Sequence, residues 1–233
     1  MSAYITRTLE STLSLEANDF AFILIEGMNG VGKSTLARKA FPELNYVDLK
    51  EISTRSMALC QPNEFFKRQG KDLLVDHIEL VPELLNYLPP REHFNRIVLI
   101  GNLPQEQKIR LQQDQQLRIY HLLPFSQREL NGQNCEPFAI NGDVPVTISY
   151  PLSLFFESVR QGFLPRLSPN QSTRLFYDQW LSKFFQETVL GVMKVAKVDL
   201  FLLFMKALAQ NNMKEINHSR LAKDCRISYA TAI

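Results

Sequence analysis

The sequence has few cysteines, little net charge and no long apolar run, and each shortage removes a class of protein. Its three cysteines, Cys60, Cys135 and Cys225, lie far apart with no Cys-x-x-Cys pair. Neither a disulfide framework nor a zinc site is expected, and a reducing compartment fits best. Charge is balanced, with 26 basic and 24 acidic residues giving a formal net charge of +2. That total advertises no nucleic-acid surface, which leaves only a local basic patch to consider. The most apolar stretch, Val198 to Ala209, is broken by Asp199 and Lys206, and the segment from Met1 to Arg7 has no charged region followed by an apolar core. Neither a membrane span nor a signal peptide is expected; a soluble, cytoplasmic protein is. What remains is ordinary globular material: 233 residues, 45% hydrophobic and 21% charged, enough for one large domain or one domain with a smaller companion.

In the first half, short apolar blocks alternate with helix-compatible segments. Phe20 to Glu26 is a β-rich run bounded by Asn18-Asp19 and a glycine loop, the pattern of a strand buried on both faces. Lys33 to Phe41 follows as a helix, stopped by Pro42. Tyr46 to Leu49, Leu73 to Asp76, Ile97 to Ile100 and Leu117 to Leu122 are further strands, with helices in the intervals. The alternation predicts an α/β fold for residues 1–130: a three-layer α/β/α sandwich with a mostly parallel sheet and ligands at the carboxyl ends of its strands.

Residues 131–151 collect Asn, Gly and Pro without periodicity and read as a linker. Residues 152–233 show helical spacing throughout and predict a smaller all-α domain. There Phe176, Trp180 and Phe184 recur every four residues as a core stripe, and Leu200 to Gln210 keeps nearly the same rhythm. Asn217 to Cys225 and Ser228 to Ile233 read as two short helices joined at Arg226-Ile227, a partial winged-helix-like unit whose second helix is cut off by the chain end. The chain is thus expected to be truncated at its C-terminus.

The chemistry is concentrated in one loop. Gly27, Met28, Asn29, Gly30, Val31, Gly32, Lys33 and Ser34 match the Walker A pattern G-x-x-x-x-G-K-[ST] between a strand and a helix. Glycines let the backbone N–H groups converge on phosphate oxygens, and the helix aims its positive end at them. Lys33 is expected to bridge the β- and γ-phosphates of ATP, Ser34 to give its hydroxyl to Mg²⁺, and Thr35 to lie beside the α-phosphate. The apolar strand ending in Asp76 supplies the carboxylate for the other side of the magnesium shell. The metal set is therefore Ser34 and Asp76. His77, with Glu79 two residues further on, follows Asp76 where a hydrolase of this kind has Glu. Three outcomes are open: His77 acts as the base, hydrolysis is weakened and recovers in His77→Glu, or Glu79 serves as a displaced base. Glu79, further along the strand, is expected to point elsewhere.

These residues resemble the prokaryotic AAA-type ATPases of unknown role that join an N-terminal P-loop domain to a C-terminal domain of unknown function. The resemblance runs from Tyr4 to Arg7 through the loop and Asn45 to Leu49, and is closest from Leu74 to Leu88. It implies that Asn102, after Val98 to Gly101, is the polar sensor near the γ-phosphate, and that Arg118 is the Arg preceding the Leu-x-Pro-Phe-Ser segment. Arg118 then has three roles open: a γ-phosphate contact in cis, a finger toward a neighbour, or a surface ion pair. The resemblance also implies a helix-turn-helix at Asn217 to Ile233 and a homo-oligomer or protein partner. Asn29 and the segment Leu190 to Val192 depart from the family's charged residues.

Two other functions compete with an ATPase whose nucleotide state, ATP or ADP, controls the helical domain. Phe22 to Thr35 also looks like a thymidylate or other nucleotide kinase, although the Asp-Arg-aromatic segment and Arg-rich lid of such kinases are missing. Lys206, Lys214, Arg220, Lys223 and Arg226 give the C-terminal segment a basic bias suited to DNA or to packing on a partner. His93, His121 and His218 share no metal spacing.

Overall fold

The computed structural model describes residues 4–16, 19–114, 117–130, 132, 151–164, 172–193 and 195–232. The expected linker at 131–151 therefore lies outside the described residues, apart from Gly132 and Pro151. Two compact units divide the chain, residues 1–176 and 177–233.

In the first unit, five strands form one sheet: β1 (Phe22–Gly27), β2 (Asn45–Asp48), β3 (Asp72–Asp76), β4 (Arg96–Ile100) and β5 (Leu117–Leu122). Their order is β2-β3-β4-β1-β5 and every pairing is parallel. Side chains alternate across a strand, so each apolar run supplies both faces. Phe22, Leu24, Leu73, Val75, Ile97 and Leu99 point to one core, shared with Ala58 of α3 (Ile52–Cys60) and with Phe65 and Phe66 of α4 (Pro62–Gln69). Ile23, Ile25, Leu74, Val98 and Ile100 point to the other, shared with Leu13 of α1 (Thr8–Glu16) and with Leu36 and Ala37 of α2 (Lys33–Ala40). The result is the three-layer sandwich that the sequence predicts. Phe65 is fully buried and meets Phe66 edge-on at 5.4 Å. Phe65→Ala is expected to cost about 3–5 kcal/mol, read as a lower denaturant midpoint at unchanged slope.

After β4 come α5 (Gln105–Asp114), then β5 and α6 (Gln127–Leu130); α7 (Leu152–Gln161) and α8 (Thr173–Phe184) follow. The Phe125 amide donates to the Phe163 carbonyl at 3.0 Å, tying the end of α7 to the loop after β5.

Beyond residue 176 the regular elements of the described residues are helices. A π-helical stretch, Phe185–Val192, continues α8, followed by α9 (Val198–Gln210), α10 (His218–Cys225) and α11 (Tyr229–Ala232). Phe176 on α8 is buried, whereas Trp180 and Phe184 are half-buried and stack on each other at 5.5 Å. Asn217 caps α10 by accepting from the Arg220 amide at 2.9 Å. Arg226 ends the helix in a left-handed conformation, and the Ile227 amide donates to the Ala222 carbonyl at 3.0 Å. That closure gives the two helices joined at Arg226-Ile227 that the sequence suggests.

Candidate nucleotide-binding site

The loop between β1 and α2 is shaped by glycine where no other residue fits. Gly27 has φ 152°, and a Cβ there would collide with the Leu122 carbonyl oxygen of the adjacent strand. Gly32 begins α2 in a left-handed conformation, φ 100° and ψ 22°, and no side chain caps the helix. The first-turn N–H groups and the positive end of the helix dipole thus face the loop, the arrangement that binds phosphate. Ser34, half-buried, and Thr35, exposed, occupy that first turn. Lys33 Nζ donates to the Gly27 carbonyl at 2.7 Å and to the Met28 carbonyl at 3.2 Å, so the cation curls over the loop's entrance. Burial lowers its pKa, while the carboxylates of Glu79, Asp76 and Glu26 oppose that shift.

Asn102, expected as the polar sensor, is brought directly to the loop. Its Nδ2 donates to the Gly27 carbonyl and its Oδ1 accepts from the Gly27 amide, both at 3.1 Å. This reciprocal pair fixes the loop's first glycine to the end of β4.

Asp76 ends β3 and is 2% exposed. Its Oδ2 accepts from the Tyr46 hydroxyl at 2.9 Å and its Oδ1 from the His77 amide at 2.9 Å. A carboxylate and a hydroxyl oxygen are the hard donors that Mg²⁺ prefers, so Asp76 with Ser34 fits a magnesium ion by donor chemistry.

His77 leaves the strand in a left-handed conformation, φ 59° and ψ 42°. Its Nδ1 lies 2.8 Å from Asp48 Oδ1 and 3.5 Å from Asp76 Oδ1, which turns the ring toward β2. A 3-10 turn, Ile78–Leu80, follows at once. Glu79 was expected to point elsewhere, but this turn folds it back toward the loop. Its Oε2 packs on Gly101 and has no hydrogen-bond partner. Burial raises the Glu79 carboxyl above the usual range, against the opposing pull of its own backbone amide, His77 and Lys33.

Arg118 does not belong with these groups. It pairs with Ile23 in the sheet, while the loop's Gly27 pairs with Leu122 four residues along, roughly 13 Å at ~3.3 Å per residue. Arg118 Nη2 instead lies 3.2 Å from Glu16 Oε2 and its guanidinium covers the Phe20 and Tyr120 rings. The register sets Arg118 away from a γ-phosphate contact in cis, and within this chain it makes the surface ion pair.

Sequence reasoning missed two features. Glu26, 4% exposed, accepts from the Leu103 amide and from Lys108 Nζ, both at 3.1 Å, bracing the segment after β4. Arg7 and Glu129, each 5% exposed, pair at 3.2 Å. Arg7 also donates to the Val31 carbonyl at 3.1 Å and lies over the Phe125 ring. The signal for Glu26 was a lone charge ending an apolar strand; Arg7 and Glu129 lay only in the family-like segments.

A parallel sheet with a glycine loop feeding a helix N-terminus, an acidic residue ending the neighbouring strand once removed, and a polar residue locking the loop define a P-loop nucleotide-binding domain. Residues 19–131 match the family model described as an AAA domain, and this region is an AAA-type P-loop domain. No curated protein matches the chain. Among solved structures, the chain is similar to a Signal Transduction ATPase with Numerous Domains protein carrying a tetratricopeptide repeat sensor, from Pyrococcus horikoshii, at 15% identity and a TM-score of 0.45. That match covers 95% of this chain and 37% of the other, so the chain spans little more than a third of its length. Among the described residues, no helix is long and apolar enough to cross a membrane.

Proposed function

We propose that this chain is an AAA-type protein that binds ATP with Mg²⁺ at the loop from Gly27 to Ser34 and passes its nucleotide state to the C-terminal helices. The observation that carries the reading is the convergence on the loop's first glycine: Lys33 Nζ and Asn102 both bond its carbonyl. Bound phosphate would take the open N–H groups of α2 and the Lys33 cation. Ser34 and Asp76 would hold the magnesium ion, whose chemistry here is to neutralise charge between the β- and γ-phosphates. The Tyr46 hydroxyl on Oδ2 and the His77 amide on Oδ1 fix the orientation of the Asp76 carboxylate that would hold the ion.

Asp76→Asn tests this assignment. In equilibrium titrations with a fluorescent ATP analogue, the native chain is expected to bind more tightly with Mg²⁺ than with EDTA. The variant should lose most of that gain, at roughly 1.5–3 kcal/mol for a charge-assisted contact, or about 10–100-fold. An unchanged magnesium dependence in the variant would remove Asp76 from the metal site.

A second reading concerns the capped helix pair α10 and α11. Arg220, Lys223 and Arg226 are exposed there, which supports contact with an acidic surface, DNA included. Duplex binding that weakens steeply with salt would favour it; its absence would leave the pair as a packing unit.

A further inference from the structure

Among the described residues, Glu79 is the one carboxylate near the loop whose placement nothing so far explains. A strand continuing past Asp76 would carry it away from the loop, yet the left-handed His77 and the 3-10 turn bring it back. Its Oε2 is fully buried, accepts no hydrogen bond, and rests on Gly101 at the end of β4. A Cβ at Gly101 would run into that carboxylate and would come within 3.0 Å of Ile78 Cγ2, and the residue has φ 146°, so glycine is what leaves Glu79 room. Gly101 donates its amide to the Ile25 carbonyl at 3.2 Å, and the next residue, Asn102, holds Gly27. Glu79 therefore stands one residue from the lock on the phosphate loop, within the electrostatic reach of Lys33 and Asp76. His77 is differently engaged: its Nδ1 is held by Asp48 at the β2 side.

We propose that Glu79, not His77, is the catalytic carboxylate of ATP hydrolysis at this site, an assignment that rests on the nucleotide binding proposed above. The water oxygen forms a bond to the γ-phosphorus as the bridging P–O bond to the β-phosphate breaks, and the electron pair leaves with ADP. The proton lost by the water passes to the Glu79 carboxylate and from there to the released phosphate. The chain thus keeps a carboxylate for the water while lacking one directly after Asp76, because the turn moves the third residue into reach. Nothing is required of the imidazole beyond holding Asp48 and the turn.

The test uses the full chain and two readouts: binding of a fluorescent ATP analogue with Mg²⁺, and phosphate release in single-turnover hydrolysis of ATP. The native chain is expected to hydrolyse ATP. Glu79→Gln is expected to bind within about twofold of native and to hydrolyse at least ~100-fold more slowly, the usual scale for a lost general base. The double variant His77→Glu with Glu79→Gln places a carboxylate directly after Asp76 and should stay as slow. Native hydrolysis in Glu79→Gln, recovery in the double variant, loss of magnesium-dependent binding in Glu79→Gln, or a native chain that binds without hydrolysing would each overturn the assignment while leaving nucleotide binding intact as a reading. A native chain that binds no nucleotide overturns that reading, and the role of Glu79 with it.

Discussion

Lys33→Ala is expected to weaken ATP binding by about 100-fold or more. The Nζ bonds to the Gly27 and Met28 carbonyls hold the cation at the loop's mouth, where phosphate would replace these carbonyls as its partner. Hydrogen bonds to charged groups contribute roughly 1.5–3 kcal/mol each, and losing two to phosphate oxygens corresponds to about 3 kcal/mol or more. A second effect adds to the first. Glu79, Asp76 and Glu26 all act electrostatically on Lys33, so without it their negative charge near the loop is less offset when phosphate arrives. Stability should change little, because the cation is only partly covered and its partners are backbone carbonyls that water can reach. Titration with a fluorescent ATP analogue, beside a thermal melt, separates the two: binding falls and the melting temperature stays.

Glu129→Ala is expected to act in the opposite sense, on stability first. Both members of the Arg7–Glu129 pair are 5% exposed, and removing one leaves the other charged and buried. That situation costs about 3–5 kcal/mol. Glu129 also accepts from the Thr8 amide at 2.7 Å and the Ser126 amide at 2.8 Å, so two backbone donors lose their acceptor as well. The damage reaches the phosphate loop, since Arg7 is what bonds the Val31 carbonyl. Acid should expose the same group. Burial pushes the Glu129 carboxyl up, but the Ser126 and Thr8 amides and Arg7 outweigh it and hold the group below the usual carboxylate range. A depressed folded pKa means that the stability is present above the unfolded value, about 4.3, and is lost as pH falls through the folded one. Chemical denaturation of native and variant chains at pH 7 and below pH 4 measures this: the gap between them should be wide at pH 7 and should narrow in acid.

The sheet was legible because each strand is an apolar, β-rich block punctuated by Gly, Pro, Asn or Asp. Leu117–Leu122 was placed to the residue, and the others to within a residue or two. Lys33, Ser34 and Asp76 follow from the same signals, a glycine loop after one strand and an acid at the end of another. Register was not legible. Nothing in the string of residues says that Arg118 lies opposite Ile23, and that pairing is what takes it away from the loop. Glu79 was misplaced for a different reason: the period of two ends at Asp76, where His77 turns left-handed without a glycine or asparagine to announce it. Arg7 and Glu129 are 122 positions apart, and only the folded chain joins them. The elements were set by local chemistry, whereas the site's finer roles depended on which ends the topology brings together.

The central claim is that this fold binds ATP with magnesium at the loop it builds from Gly27 to Ser34. Calorimetric titration of the native chain with ATP, once with Mg²⁺ and once with EDTA, measures it directly. Saturable binding that tightens with magnesium is the predicted result; the absence of any saturable heat in either condition would contradict it.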